Sequence, residues 1–120
     1  MRNKLLLLSI GFFLVLSSFD TVPQNQLFPT KLRITVRNNL GNVEEGVAVK
    51  LYANEEDYRD GKNVIEQQTT DKKGRVMFKS LERKDYFIHA TKGDMDNVNN
   101  GVQTGNLEEG KVNKVVIIIS

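Results

Sequence analysis

The stretch that decides the fold lies at residues 69–91 and reads TTDKKGRVMFKSLERKDYFIHAT. Apolar and polar side chains alternate in both of its halves, first around Phe78 and again around Ile88. Because successive side chains of a strand point to opposite faces, this period of two predicts strands with one apolar face each. Residues 71–74 read DKKG, which is typical of a tight turn, since Asp opens such a turn and Gly accepts a positive φ. The stretch therefore predicts a strand, a tight turn, a second strand, a short connection and a third strand.

Related patterns continue through the rest of the chain. Alternating or apolar segments that predict further strands occur at residues 31–37, 47–52, 64–70, 101–104 and 111–119. The polar strand at 64–70 is expected near a sheet edge. The run at 115–119 is apolar on both faces, which suits a strand that is covered on both sides or protected by a partner. Residues 54–63 predict either a loop or one helical turn capped by Asn54. Seven short strands separated by turns predict an all-β sandwich.

The phase of the alternation also predicts which side chains form the core. The inward-facing set comprises Leu32, Ile34, Val36, Val47, Val49, Leu51, Val76, Phe78, Leu81, Tyr86, Ile88, Val115 and Ile117.

The chain begins with the three-part pattern of an export signal. A short basic segment precedes an apolar run at residues 5–16, and Ser17 and Ser18 are small residues that suit cleavage. The run is short for a membrane span, and an uncleaved anchor helix is the alternative interpretation. We predict a signal peptide at 1–18, a linker at 19–30 and one β-sandwich domain at 31–120.

The sequence also argues against a lipid anchor. Residues 16–19 resemble a bacterial lipobox, but Phe19 occupies the position of the Cys that would receive the lipid. The chain has no Cys, so neither a thioether to lipid nor a disulfide can form. We therefore predict a protein exported to the periplasm, the cell surface or the medium, with membrane contact only through the signal segment before cleavage.

The net charge of the processed chain argues against nucleic acid as a partner. The chain has 17 Lys and Arg residues against 15 Asp and Glu residues. Arg2 and Lys4 leave with the signal peptide, so the processed chain is neutral when its lone His is uncharged. A neutral chain has no excess of basic charge to build the one-sided field that nucleic-acid binding needs. We therefore predict no nucleic-acid partner.

The order of these features resembles a known family. An alternating strand, a Gly41 turn and a second strand opened by Gly46 are followed at characteristic spacing by Thr70, Asp71, Gly74, Phe78, Leu81 and Tyr86. This is similar to the carboxypeptidase regulatory-like and Cna-B-like group of transthyretin-like modules, and the similarity extends from Lys31 to the end of the chain. It implies a seven-stranded antiparallel Greek-key sandwich. It also implies a non-catalytic module with a structural, adhesion or protein-interaction role at the cell exterior.

Two chemistries of these families can be compared with the residues present. Cna-B-type modules often form a Lys–Asn isopeptide bond with the help of an acid four residues after a late-strand Tyr. The matching residues here are Tyr86 and Ala90, and alanine has no carboxyl group to move protons. Transthyretin-like hydrolases need His and Arg residues and a C-terminal motif. This chain has a single His, His89, and it ends in Ile-Ile-Ser, so the arrangement is missing. We therefore predict neither an isopeptide bond nor an enzyme, with His89 on the outward face of its strand.

The best candidate for a ligand site is the loop at residues 93–101, GDMDNVNNG. In an antiparallel sandwich alternate connections meet at one end, so this loop is expected beside the turn that contains Asp71. Alternating Asp and Asn oxygens suit Ca²⁺, and Asp94, Asp96 and Asp71 are the candidate metal ligands. The alternative is that these side chains bond to their own backbone. No other cofactor is predicted.

An aromatic set provides the last candidate. Tyr52, Tyr58 and Phe87 form either an exposed platform for a sugar or the cover of a sheet face. The second functional hypothesis is therefore a ligand-binding domain for Ca²⁺ or a glycan, and the sequence does not identify the partner protein or glycan.

Overall fold

The computed structural model describes residues 28–120, so the predicted signal peptide and most of the predicted linker lie outside the described residues. Its elements are β1 (Thr30–Asn38), β2 (Ala48–Tyr52), α1 (Glu55–Asp60), β3 (Glu66–Thr69), β4 (Arg75–Leu81), β5 (Asp85–Lys92), β6 (Met95–Asp96), β7 (Gln103–Asn106) and β8 (Val112–Ile119).

The strands form two sheets packed face to face. One sheet has the order β4-β1-β8, and the other has the order β3-β2-β5-β6, with β7 also pairing with β5. The predicted all-β sandwich is confirmed. Strand β3 lies at an edge, as its polar sequence indicated.

Two details differ from the predicted seven-stranded antiparallel arrangement. The described chain has eight strands, because the segment after Gly93 turns back and pairs Met95 with Lys92 as the short strand β6. In addition, β8 pairs with β1 in parallel, from Lys31 beside Val112 to Asn38 beside Ile119. The chain reaches β8 by crossing from the other sheet rather than through a hairpin, and a crossover permits the parallel direction.

The polar segment after β2 forms the helical turn that was one of its two predicted states. The Asn54 side chain caps α1 by accepting the Asp57 N–H at 2.8 Å. Gly61 ends the helix in the left-handed conformation, where a residue without Cβ is unstrained. Across the described residues no helix approaches the length and apolarity that a membrane crossing needs.

The core lies between the sheets and follows the predicted alternation. Every predicted core residue is buried except Leu81 and Val115, which pack partly exposed at its margin. The core also contains side chains that the prediction omitted, namely Ala90, Leu107 and Ile119. Apolar burial of this extent is the main term that stabilises the sandwich.

Candidate functional site

The connections that were expected to share one end of the sandwich do meet there. A Cβ built on Gly74 in the β3–β4 turn would lie 3.0 Å from the Val43 side chain of the β1–β2 connection. Glu44 of that connection accepts a charged hydrogen bond from Lys92, at the end of β5, at 3.1 Å. The end therefore brings three connections into contact.

Two of the three predicted metal ligands, Asp71 and Asp96, bond to backbone groups of their own turns. Asp71 Oδ1 accepts the backbone N–H groups of Lys73 at 2.9 Å and Arg75 at 3.0 Å. The bond from the Arg75 N–H is the main cause that lowers the pKa of the Asp71 carboxyl. Asp96 Oδ1 accepts the Val98 N–H at 3.0 Å, and Asp94 is exposed in the β5–β6 turn.

These bonds match the alternative interpretation, in which such side chains accept hydrogen bonds from backbone N–H groups of their own turns. Between Phe28 and Ser120 no group of three or more His, Cys, Asp or Glu side chains is placed to hold a metal ion. Titration with Ca²⁺ distinguishes the predicted site of Asp94, Asp96 and Asp71 from this alternative, which the hydrogen bonds favour.

Asn97, in the same loop, has a structural role that the sequence did not reveal. Its side chain is fully buried, with 0% exposure. Oδ1 accepts the Ala90 N–H at 2.9 Å, and Nδ2 donates to the Ile88 carbonyl at 2.9 Å and the Gly101 carbonyl at 3.1 Å. The amide thus satisfies backbone groups of β5 in the gap between β6 and β7. No sequence signal separates Asn97 from Asn99 or Asn100.

The aromatic side chains form the cover of a sheet face. Tyr58 of α1 lies with its ring centroid 5.9 Å from that of Tyr52 and 6.1 Å from that of Phe87. Tyr52 is 2% exposed, so the interpretation as an open sugar platform is wrong for this residue. Burial is also the main cause that raises the pKa of the Tyr58 hydroxyl.

His89 lies on the outward face of β5, as predicted, but Tyr58 partly covers it. The two rings meet edge to face with centroids 6.1 Å apart. In the part of the chain that the structure describes, no hydrogen bond joins His89 to a carboxylate that would orient it for acid–base chemistry.

The outer face of the three-stranded sheet is strongly basic. The sequences of β1, β4 and β8 contain no Asp or Glu. Their outward positions carry Lys31, Arg33, Arg37, Arg75, Lys79 and Lys114. We call this set the basic face. The expectation that the chain builds no one-sided basic field is therefore wrong, because a neutral total conceals the segregation of charge between surfaces.

The cations of the basic face form no ion pair within the described chain. The ion pairs among residues 28–120 are Arg59–Glu55, Lys92–Glu44 and Lys111–Glu108, and none involves this face. Arg33 and Lys114 are direct neighbours in the parallel register of β1 and β8. Like charges directly across a strand pair repel, so this arrangement favours an anion from outside.

A cleft opens where the basic face meets β3. Its volume is about 360 Å³, and Arg33, Arg75 and Gln68 are among its lining residues. The Nε atom of Arg75 is buried and has no hydrogen-bond partner within residues 28–120. Asp71 lines the same cleft and is the one carboxylate there.

The two edges of this sheet differ in their protection. At the β4 edge the Gln68 side chain replaces a missing strand, since its Nε2 donates to the Met77 carbonyl at 2.6 Å and its Oε1 accepts the Met77 N–H at 3.1 Å. At the other edge, β1 is the only strand within residues 28–120 that pairs with β8 along its length. Val112 and Val116, on the outer side of β8, are 44% and 56% exposed.

Comparison with solved structures shows which known proteins have a similar fold. No family model matches the chain, and no curated protein matches it. Among solved structures, a streptococcal ancillary pilin is similar over 77% of this chain at 16% identity, with a TM-score of 0.57. A minor pilin of Streptococcus agalactiae is similar over 77% at 16% identity, and the TIE protein of Bacillus anthracis over 78% at 16% identity, each with a TM-score of 0.54.

This chain spans only part of those proteins, covering 32% of the ancillary pilin, 44% of the minor pilin and 16% of the TIE protein. At this level of identity the likeness concerns the fold. The chain has the fold of β-sandwich modules that occur in pilins of Gram-positive bacteria.

Proposed function

We propose that this chain is an exported, non-catalytic Cna-B-like module that has a structural or adhesion role at the cell exterior and acts by binding another protein. The similarity to pilin modules supports a structural role, and the N-terminal export pattern supports the location. The observation that carries the binding role is the basic face, which has no carboxylate of its own in β1, β4 or β8.

The composition of the basic face favours a protein over single-stranded nucleic acid. Single-stranded nucleic acid is usually held by aromatic side chains that stack on its bases. The one aromatic residue in the three strands, Phe78, points into the core. Apolar Met77 and Val116 lie among the cations instead. Arginine beside exposed apolar side chains is typical of protein–protein interfaces.

Because the chain has no Cys, one introduced Cys is the only thiol to which a photo-crosslinker can be attached. The Cys is introduced as Thr35→Cys, in the middle of the basic face, or as Thr91→Cys, on the outer face of the opposite sheet. Cells that express the full chain with its own N-terminus are irradiated, and crosslinked proteins are identified by mass spectrometry. We expect an exported protein to crosslink from position 35 and not from position 91.

Intact mass of the recovered protein tests the location and the covalent chemistry together. The expected mass corresponds to removal of the segment ending near Ser17 or Ser18, with no lipid and no loss of ammonia. A chain that keeps its N-terminus and remains in the cytoplasm would refute export, and a mass lower by one ammonia would reveal an isopeptide bond. Equal crosslinking from both positions would refute the binding role of the basic face.

A further inference from the structure

We propose that the free edge of β8 accepts an extended acidic segment of a partner protein, which pairs with β8 as an added strand of the three-stranded sheet. The inference rests on the proposed function for the partner being a protein.

The hydrogen bonds at the two ends of β8 show which backbone groups point out of the sheet. Lys31 N–H donates to the Lys111 carbonyl at 2.9 Å, so the backbone of residue 111 points toward β1. Ser120 N–H donates to the Asp96 carbonyl at 3.0 Å, so residue 120 points away from β1. Backbone groups alternate in direction along a strand.

The backbone N–H and C=O groups of odd-numbered β8 residues therefore bond to β1. The backbone groups of even-numbered residues point away from β1, in the plane of the sheet, toward its open side. The outward set, whose N–H and C=O groups are available for an added strand, comprises Val112, Lys114, Val116 and Ile118. We call these residues the open edge.

Within residues 28–120 the open edge has few of the features that usually protect a strand edge. Natural sheets block such edges with proline, bulges, charges or covering segments. The register of β8 with β1 runs without interruption from Val112 to Ile119, and the strand contains no proline. One lysine, Lys114, is the only charge on it. By contrast, the β4 edge of the same sheet is filled by Gln68.

Charge determines which strand fits. Side chains on adjacent strands lie about 4.8 Å apart, so an added strand would place its outward side chains beside Lys114, with Arg33 one strand further. Acidic side chains at alternate positions would neutralise this like-charged pair. The intervening side chains would lie beside the half-buried Val115 at the margin of the core, where apolar residues fit.

The same charges argue against a second copy of this chain at the open edge. Antiparallel pairing of two β8 strands would place two basic faces side by side and bring Lys114 near its counterpart. Like charges at such positions are destabilising. An acidic partner segment is therefore the occupant that the geometry favours.

Amide hydrogen exchange followed by NMR provides a test at the level of single residues. The probes are a synthetic peptide of alternating glutamate and valine, as long as β8 at 8 residues with both termini blocked, and its lysine–valine counterpart. In the free protein, amides of the open edge should exchange fast, while Asn113, Val115 and Ile117 exchange slowly. At saturation the acidic peptide should slow exchange at the open edge by about tenfold or more, because these amides become hydrogen-bonded.

Variants separate the contribution of the basic side chains to peptide binding from the contribution of the backbone groups of the open edge. Arg33→Glu/Lys114→Glu should weaken binding of the acidic peptide by about tenfold, since each reversal turns an exposed attraction into a repulsion. The matched control Lys50→Glu/Lys62→Glu makes the same charge change away from the basic face and should leave binding unchanged. Val116→Pro removes an outward N–H without removing a bond to β1 and should abolish protection of the open edge. If that variant does not fold, the charge-reversal pair still decides the matter.

Three outcomes would overturn the inference. The first is equal binding of the acidic and the basic peptide. The second is binding of the acidic peptide without protection of the open-edge amides. The third is protection that appears without peptide and grows with protein concentration, which would identify a second copy as the occupant. These results concern purified protein, so they would leave the export and crosslinking tests of the proposed function unaffected.

Discussion

Replacing Asn97 by alanine should destabilise the sandwich far more than its place in a polar loop suggests. The side chain is fully buried, and its amide bonds three backbone groups, on Ala90, Ile88 and Gly101. Ala90 itself is 0% exposed, so water cannot readily replace the lost acceptor of its N–H. The substitution therefore removes bonds and leaves buried polar groups without partners.

The size of the effect follows from these partners. An unsatisfied buried N–H costs about 1–3 kcal/mol, and each of the other two bonds contributes about 1 kcal/mol. The expected loss is thus at least about 3 kcal/mol of unfolding free energy. For a domain of this size each kcal/mol lowers the melting temperature by about 4–8 °C. The melting temperature should therefore fall by at least about 12 °C.

Urea unfolding of the purified domain measures the free energy of unfolding. If parent and variant have the same dependence of this free energy on urea concentration, a change in the midpoint reports a change in stability. The matched control is Asn99→Ala, two residues along the same loop, because Asn99 is exposed and its side chain forms no hydrogen bond within residues 28–120. The control should stay within about 0.5 kcal/mol of the parent. If Asn97→Ala is no less stable than Asn99→Ala, the loop is held by other interactions and the reasoning is refuted.

Four further outcomes are expected. Phe78→Ala should cost about 3–5 kcal/mol, because a fully buried ring is replaced by a cavity, and a variant that melts with the parent would contradict this. Gly74→Ala should destabilise more than Gly105→Ala, because both positions have a positive φ but only at Gly74 would a Cβ lie 2.8 Å from a β1 carbonyl oxygen; equal losses would refute the close approach. Asp71 accepts backbone N–H bonds that lower its pKa, so its stabilisation is present at neutral pH and is lost as the pH falls through that lowered pKa, below about pH 4. Asp71→Asn should therefore flatten the acid limb of the stability profile, and an unchanged limb would contradict the assignment. Millimolar Ca²⁺ should leave the melting temperature unchanged, whereas a rise that is lost in Asp94→Ala would establish the predicted metal site.

The candidate surfaces were only partly visible in the sequence. Alternation on β1 shows that Lys31, Arg33 and Arg37 share a face. It does not show that β4 and β8 flank β1 and present their own lysines and arginines on the same side. Net charge averages over the whole chain, so it concealed this face. The order of strands depends on which distant segments pair, and a local pattern does not contain that information.

Tyr52 and Asn97 show the same limit for single residues. The alternation correctly placed Tyr52 on the outward side of β2, but α1 folds over that face and its Tyr58 buries the ring. Asn97 is chemically identical to Asn99, and only the position of β5 beneath the loop gives one amide three partners while the other stays exposed.

The sequence by itself determined every strand except β6, the inward faces and the principal core, because side-chain direction along a strand follows from a period of two and apolar burial drives the sandwich. It also determined the cap of α1 and the turn at Asp71, since both depend on neighbours within a few residues. The tertiary structure alone decided that β8 lies parallel to β1 with an open edge and that the basic residues of β1, β4 and β8 collect on one face. Each of these depends on which distant segments come together, and that is settled by the packing of the whole chain rather than by any local stretch.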